Sequence, residues 1–430
     1  MNKAVRNTLI LRITTLCSGG LSLIIVPYFL GVEQQGYYYT FLSLVSIQVF
    51  FELGLSQVLI YVFSAQEKIA SSESNEDLQA VTLSATKLFN KYAGIFFFIL
   101  GNFLGLIFFK SGSVPQIVWQ PPWILLITCT AINLSQTSKL TYLEATGKMS
   151  DVSAMRTYQD ILGVFLLTLA LYLNAGLWAA SSLALAKSII TNYWLYANKA
   201  SKSWRNKLRN KTFTKRYLFK IWKNEIFPMQ WKISISWVSG YFIFQFLTPL
   251  TFKVFGPSLA GQLGLTLNIT TGVLLASTTF TTARSPELAK FVVDKDYKKL
   301  DILFNKSFKQ SILALSIINF LIPTSIYFAS IIIPEVTARV LLPRFILILS
   351  IASLAKGIVY CLSTYLRAHR DDPYMPLSIF TSIITIIAVL YFSQISFGAM
   401  LLAYLTVSGI SLILAIQIFR NYKKKYHTDV

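Results

Sequence analysis

Charged residues are scarce in this sequence. Asp, Glu, Lys and Arg make up 13% of the chain, whereas hydrophobic residues make up 54%. A water-soluble protein of 430 residues needs many more charges to cover the surfaces of two or three domains. The shortage therefore excludes an ordinary soluble globular protein.

Residues that bind metals or carry redox chemistry are also few, with 2 His and 3 Cys. Cys17, Cys129 and Cys361 lie far apart inside apolar segments, so their spacing suits neither a metal site nor a redox pair. The sequence has no nucleophile–base motif and no phosphate-binding glycine loop. We therefore predict that the protein is not an enzyme and uses no metal or other cofactor.

What the sequence does contain is a series of apolar blocks near 20 residues long, such as 92–109 and 312–333. A helix of that length matches the hydrocarbon core of a bilayer, about 30 Å at 1.5 Å per residue. We predict an all-α integral membrane protein with about 12 transmembrane helices. The predicted spans are 8–30, 37–64, 88–109, 122–146, 155–174, 177–198, 228–252, 258–283, 308–333, 340–366, 374–394 and 398–419.

Positive charges fall almost entirely on one side of this topology. Of the 39 Lys and Arg, 30 lie on or beside one face, 3 on the other and 6 within spans. The positive-inside rule therefore places both termini in the cytoplasm. Contact with anionic membrane lipids accounts for the net charge of +21, so we expect no nucleic-acid partner.

A basic segment divides the predicted spans into two groups of six. We predict a six-helix lobe over 1–198, a basic cytoplasmic linker over 199–227, a second six-helix lobe over 228–420 and a basic tail over 421–430. Two short matches support duplication: Arg12-Ile13-Thr14 resembles Lys232-Ile233-Ser234, and the run Tyr142-Leu143-Glu144-Ala145 resembles Tyr365-Leu366-Arg367-Ala368. Their similar offsets predict a parallel internal repeat, which in transporters places the substrate site between the halves.

Six basic residues lie at least four residues inside a predicted span: Arg12, Lys139, Lys187, Lys232, Arg344 and Lys356. A charge at the bilayer centre costs about 2.5–3.5 kcal/mol on insertion scales, so such residues usually face a watery cavity. Arg344 is more typical of an interfacial anchor. We predict that the other five line a cationic cavity, with snorkelling to the surface as the alternative for Arg12 and Lys232.

Polar residues within the spans complete the predicted site. Glu52 is expected either to pair with Arg12 or to couple transport to H⁺ or Na⁺. Asn133 and Gln136 recur with Lys139 every third residue, so they share a face of the fourth span. These two and Asn268 are predicted to line the cavity, with interhelical hydrogen bonding as the alternative.

Several motifs resemble the Wzx O-antigen flippases, members of the multidrug/oligosaccharidyl-lipid/polysaccharide transporter superfamily. They are GVEQQGYY at 31–38, FELGL at 51–55, PMQWKIS at 228–234 and WVSGYF at 237–242. The resemblance implies a two-lobed bundle that moves undecaprenyl-diphosphate-linked oligosaccharide across the bacterial inner membrane by alternating access. It also implies a cationic central cavity, and partners such as a polysaccharide polymerase and a chain-length regulator.

Other functions remain open at this point. Within the same superfamily the alternatives are a multidrug/cation antiporter and a lipid II flippase. A membrane-embedded polysaccharide polymerase or ligase is the alternative from a different class. Such an enzyme typically has a large outer loop, whereas the longest outer link predicted here is about a dozen residues.

Overall fold

The fold follows from the need of a backbone in lipid to satisfy its own hydrogen bonds. The computed structural model describes residues 3–68, 73–110, 117–197, 202–208, 213–332, 338–369 and 372–428, and none of these lies in a strand. Helices make up 92% of the structure. The predicted all-α class is thus confirmed, and the chain is a multi-pass membrane protein.

Within the described residues, 7 helices are long and apolar enough to cross a membrane. They are Arg6–Phe29, Leu78–Phe109, Pro257–Val293, Tyr297–Phe328, Pro343–Ala368, Met375–Ser393 and Phe397–Lys425. A further pair, Ile233–Phe244 and Leu247–Phe255, qualifies as one span bent by 40°. The remaining predicted spans are helical as well, but they are shorter, broken or more polar.

The chain divides into two compact units, Met1–Tyr241 and Phe242–Val430. Unit 1 contains α1 (Lys3–Phe29), α2 (Val32–Val45), α3 (Val49–Glu52), α4 (Leu55–Lys68), α5 (Glu73–Phe109), α6 (Gln120–Leu143), α7 (Met149–Tyr172), α8 (Ser182–Ala197), α9 (Lys202–Leu208) and α10 (Lys215–Ile221). The boundary falls inside α11 (Phe227–Phe244). Unit 2 contains α12 (Leu247–Phe255), α13 (Pro257–Thr282), α14 (Ser285–Val293), α15 (Tyr297–Ile332), α16 (Pro343–Ala368), α17 (Met375–Ser393) and α18 (Phe397–Thr428).

The predicted linker, 199–227, belongs to unit 1, where the described parts of it form α9, α10 and the start of α11. Trp204 of α9 is 6% exposed and packs in a core cluster with Leu83, Tyr142 and Leu195. Leu218 of α10 packs against Val81 and Ala85 of α5. The predicted domain boundaries as such stay a prediction.

Helices pack in a similar order within each unit. In unit 1, α5 packs on α6, α6 on α8 and α7 on α8. In unit 2, α15 packs on α16, α16 on α18 and α17 on α18. These pairs fall at equivalent places along the predicted repeat, which agrees with a duplicated arrangement.

The second predicted span is in the right place but is not continuous. A short 3₁₀ turn, Ser46–Gln48, separates α2 from α3, and α3 ends where Leu53 and Gly54 adopt positive φ angles of 52° and 64°. Left-handed backbone cannot continue a right-handed helix. The close approach of Ile233 explains the glycine, because a Cβ at Gly54 would lie 2.4 Å from its Cγ2 atom.

The break at Gly54 yields a stability prediction. Gly54→Ala is expected to destabilise the protein by at least about 1–2 kcal/mol, because it adds left-handed strain and a collision with Ile233. The measurement is the thermal unfolding midpoint of the purified protein in detergent.

Gly19→Ala in α1 is the matched control, since a Cβ there meets nothing within 4 Å. In a helix interior this change is expected to be neutral or to stabilise by about 0.5–1 kcal/mol. If both variants unfold at the same temperature, the strain assigned to the break is contradicted.

Candidate functional site: a polar cavity in unit 1

Unit 1 contains a cavity of about 590 Å³ between α1, α2, α3, α6, α7 and α8. Its lining includes four charged side chains: Glu52, Arg156, Asp160 and Lys187. Amides and hydroxyls lie between them, among them Gln48, Asn133 and Gln159. A site of this size and polarity can bind a polar organic molecule.

The position of this cavity explains why two membrane helices are less apolar than the rest. Both α6 and α7 have 24 residues, long enough to span a bilayer, yet neither is among the seven sufficiently apolar helices. They contribute Asn133 and Thr137, and Arg156 and Asp160, to the cavity wall. Polar residues are tolerated at membrane depth where they face such a space rather than lipid.

The charged side chains of the cavity differ in how they are neutralised. The Arg156 Nη2 atom lies 2.7 Å from the Glu144 Oε1 atom in an ion pair. Asp160 accepts a hydrogen bond from the Thr15 hydroxyl, and Glu52 accepts one from Ser56. Among the described residues, no carboxylate pairs with Lys187, which is exposed in the cavity. Lys187 is therefore available to bind an anion.

Amide side chains hold the helices around the cavity together. The Asn133 Nδ2 atom donates to the Ala184 carbonyl oxygen at 3.0 Å, and the Gln159 Nε2 atom donates to the Thr191 hydroxyl at 2.6 Å. Both bonds tie a neighbouring helix to α8. The Asn133 Oδ1 atom is buried and has no hydrogen-bond partner among the described residues.

The five cations that the sequence predicted for one cavity do not all lie in it. Lys187 lines the cavity, whereas Arg12 is exposed on α1 and does not. The side chain of Lys232 lies outside the described residues. Lys139 lies in unit 1 away from the cavity lining, and Lys356 lies in unit 2. Of the four predicted cavity cations whose side chains are described, only Lys187 therefore contributes to this cavity.

Lys139 is 8% exposed and packs against aromatic rings. Its ammonium nitrogen lies 5.0 Å from the centroid of the Trp204 ring and 5.9 Å from that of Tyr196. These distances fit cation–π contacts. The aromatic partners come from α8 and from the short helix α9 of the basic linker.

Lys356 has a similar environment in unit 2. Its ammonium group lies 4.9 Å from the Phe244 ring centroid and 4.4 Å from that of Tyr404, and it donates to the Tyr404 hydroxyl oxygen. The Tyr404 hydroxyl in turn donates to the Ile243 carbonyl oxygen at 2.7 Å. Among the described residues, Lys356 has no carboxylate partner, so these aromatic groups stabilise its charge.

The remaining predicted site residues occupy different places. Gln136 is buried, and its Nε2 atom donates to the Asn192 Oδ1 atom at 2.6 Å. This bond connects α6 to α8, so it agrees with interhelical hydrogen bonding, the alternative to lining the cavity. Asn268 is exposed in unit 2, and its Nδ2 atom donates to the Gly264 carbonyl oxygen of its own helix.

The expected ion pair between Arg12 and Glu52 is not formed, although both side chains are described. Leu11 and Thr15, four residues apart, place one face of α1 on the cavity, and Arg12 lies about 100° around the helix from Leu11. Glu52 lines the cavity and accepts from Ser56, one helical turn further along the broken span. The helical register thus separates the two charges.

Sequence reasoning missed Arg156, Gln159 and Asp160. These residues follow an i, i+3, i+4 pattern, so they share one face of the predicted fifth span. Arg156 lies one residue past the start of the fifth predicted span and is not among the six intramembrane cations, and Gln159 and Asp160 are not among the predicted site residues. A clustered polar face inside a membrane helix is the signal that identifies them.

The sequence matches no protein-family model and no protein of curated function. Solved structures, by contrast, match almost the whole chain. An inward-facing multidrug resistance MATE family transporter of the MOP superfamily matches with a TM-score of 0.64 and 15% identity, over 98% of this chain and 99% of the other. The lipid II flippase MurJ, in an inward closed conformation, matches with a TM-score of 0.66 and 13% identity, over 97% of this chain and 87% of the other.

A third match is the MATE multidrug transporter DinF-BH in complex with R6G. Its TM-score is 0.62 at 15% identity, over 100% of this chain and 97% of the other. The fold is that of MATE transporters and MurJ. At these identities the similarity establishes the fold and not the substrate, so the function has to be argued from the site.

Cysteine labelling tests the water access of the cavity. In a background with Cys17, Cys129 and Cys361 replaced by Ser, Lys187→Cys is expected to react with a charged, membrane-impermeant methanethiosulfonate. The reason is that residue 187 faces an aqueous cavity in which a thiol can ionise. The measurement is the labelled fraction by mass spectrometry.

Ile189→Cys is the matched control on the same helix. Ile189 is apolar, 50% exposed and outside the cavity lining, so it is expected to face lipid and to remain unlabelled. Equal labelling at both positions would contradict the assignment of the cavity.

Proposed function

We propose that this protein translocates undecaprenyl-diphosphate-linked O-antigen repeat units from the cytoplasmic to the periplasmic leaflet of the bacterial inner membrane. Both termini are cytoplasmic in this proposal, in keeping with the distribution of Lys and Arg. The resemblance to Wzx proteins supports the substrate, and the fold shared with a lipid II flippase supports the type of transport. Alternating access of the membrane-embedded sites then moves the polar head group across the bilayer.

The observation that carries this proposal is the mixed lining of the unit 1 cavity. Glu52 and Asp160 can accept hydrogen bonds from sugar hydroxyls, while Lys187 can bind an anionic group. A lipid-linked oligosaccharide offers both features in one head group. Its prenyl tail remains in lipid while the head group crosses.

The cations outside the cavity have a role in the same proposal. Arg12, Lys139, Lys232 and Lys356 interact with the diphosphate at different stages of transport, together with Lys187. Gln136 and Asn268 contribute polar groups along the route. A polysaccharide polymerase and a chain-length regulator are the proposed partners, because the product is released where polymerisation takes place.

Complementation tests the proposal. In a flippase-null strain of the source bacterium, the wild-type chain is expected to restore surface O-antigen. Lys187→Ala is expected to reduce it by about tenfold or more, because losing a charged hydrogen bond costs about 1.5–3 kcal/mol. Lys139→Ala and Lys356→Ala are expected to reduce it too. The measurement is O-antigen on the cell surface at matched membrane levels.

Lys290→Ala, which changes an exposed lysine of α14, is the control and is expected to behave as wild type. Failure of the wild-type chain to restore O-antigen, with lipid-linked intermediate still accumulating, would refute the O-antigen assignment. If the Lys187 variant works as well as wild type, the role of that residue is refuted while the transport proposal stands.

A multidrug/cation antiporter is the second candidate. It is favoured by Glu52 and Asp160, two carboxylates that line the cavity and could bind a cationic compound. In that case the chain protects a drug-sensitive strain against cationic dyes, and Asp160→Asn removes the protection. The measurement is growth inhibition by such dyes. It separates the two candidates because an O-antigen flippase is expected to give no resistance to dyes, and a cation antiporter is expected to restore no surface O-antigen.

A further inference from the structure

A second cluster of charged and polar groups lies in unit 1, outside the cavity. It is formed by α5, α6 and the linker helix α9, and its central residues are Lys87, Lys139 and Trp204. The Lys87 and Lys139 ammonium nitrogens lie 5.6 Å and 5.0 Å from the centroid of the same Trp204 ring. Two like charges therefore converge on one indole.

The packing of α5 against α6 brings these two lysines together. The helices are antiparallel, since a Cβ at Gly94 would meet Ala131 and a Cβ at Gly101 would meet Ile127. Lys87 precedes Gly94 by seven residues, so it lies on the same side of α5, about 10 Å further along the axis. Lys139 follows Ala131 by eight residues, or about 12 Å, and reaches the same level.

No described carboxylate lies within ion-pair distance of either lysine. The acidic residues at the start of α5, at 73, 76 and 77, lie at least ten residues from Lys87, which is about 15 Å along the helix. The ring of Trp204 offsets part of the repulsion through cation–π contacts. Lys139 is buried, so water does little to offset the repulsion at its ammonium group, whereas Lys87 is exposed.

Buried polar atoms on α5 and α9 also have no hydrogen-bond partner among the described residues. They include the Trp204 Nε1 atom, the Arg205 Nε atom and both polar atoms of the Asn90 side chain. Trp204 and Asn90 are 6% and 0% exposed, so solvent does not satisfy them. Native proteins rarely leave such polar atoms unpaired, and a bound ion or water molecule is one reason when they do.

Arg205 is held beside the cluster in a fixed position. Its Nη2 atom donates to the Tyr196 carbonyl oxygen at 2.9 Å, and its guanidinium lies 5.9 Å from the Tyr196 ring centroid. The Arg205 Nε atom is buried and has no hydrogen-bond partner among the described residues. The cluster thus combines two ammonium groups with two N–H donors, which is the donor set that phosphate oxygens require.

We propose that Lys87 and Lys139, assisted by Trp204 and Arg205, bind the phosphate group of a membrane lipid between α5, α6 and α9. The site includes α9 of the basic linker, and a basic segment of this kind favours contact with anionic lipid head groups. Two lipid classes carry this group, the anionic phospholipids and the prenyl diphosphates. An anionic phospholipid can occupy this site whatever the cavity transports, whereas occupation by a prenyl diphosphate rests on the proposed function, in which Lys139 contacts the diphosphate.

Binding to the purified full-length protein tests the site. The probes are phosphatidylglycerol, farnesyl diphosphate and farnesol, added to the protein in detergent, and the readout is the saturable rise in thermal unfolding midpoint. Phosphatidylglycerol or farnesyl diphosphate is expected to stabilise the wild type, and farnesol is not. The probe with the higher affinity identifies the source of the phosphate.

Variants assign the binding to the cluster. Lys87→Gln combined with Lys139→Gln is expected to bind the stabilising probe at least about tenfold more weakly, because two charged hydrogen bonds are lost. Lys87→Arg combined with Lys139→Arg should retain binding. Trp204→Phe keeps the ring but removes the N–H donor, and is expected to weaken binding by about threefold to tenfold.

Lys91→Gln is the matched control, since it removes an exposed lysine from the same helix one turn away. Should the double Gln variant not fold, Lys87→Gln alone changes only an exposed residue and still tests the site. Without ligand, the double Gln variant is expected to be at least as stable as wild type, because a repulsion is relieved.

Two results overturn the proposal. One is a wild type that neither phosphate-bearing probe stabilises. The other is a double Gln variant that binds with wild-type affinity, in which case the lysines serve only to hold Trp204. Complementation by the same variants is measured separately, so failure of O-antigen transport would not be mistaken for failure of this site.

Discussion

The absence of water from the bilayer core constrains everything else in this structure. Backbone groups there must form hydrogen bonds within their own helix, so the described part of the chain is largely helical. The helices therefore differ from one another mainly in their side chains. The backbone departs from this rule inside a predicted span at Leu53 and Gly54. Glu52, next to that break, lines the polar cavity, so the irregular backbone lies where protein and water replace lipid. The same constraint thus explains both the regular helices and the site of their interruption.

In unit 1, some helix faces line the polar cavity and others are exposed and apolar. Most of α1 is exposed and apolar, with Ile24 71% and Tyr28 79% exposed. In contrast, α6 and α7 carry amides and charges on the faces that line the cavity. A helix can bear such groups only because its neighbours screen them from lipid. Binding capacity and membrane insertion are therefore met by different faces of the same bundle.

Cations inside the membrane helices are accommodated in three different ways. Arg156 pairs with Glu144, Lys139 and Lys356 pack against aromatic rings, and Lys187 faces the cavity. The first two arrangements stabilise the charge within the protein, whereas the third leaves it available to a ligand. The convergence of Lys87 on the ring that Lys139 already contacts adds a second charge to one of the aromatic sites. Among the described residues, no anionic group pairs with Lys87 or Lys139.

The sequence by itself determined the all-α membrane class, the approximate place of each helix and the presence of intramembrane cations. These follow from residue type and local spacing, because hydrophobic length and charge cost act on each segment separately. Local spacing could also have revealed Arg156 and Asp160, which share a helix face.

Only the tertiary structure decided which charges meet. Arg12 and Glu52 were expected to pair from their similar depth, yet depth does not fix the direction in which a side chain points. Lys139 finds Trp204, a residue 65 positions away in the linker, because packing of α9 against unit 1 brings them together. Such contacts depend on helix rotation and on long-range packing, which no local pattern records.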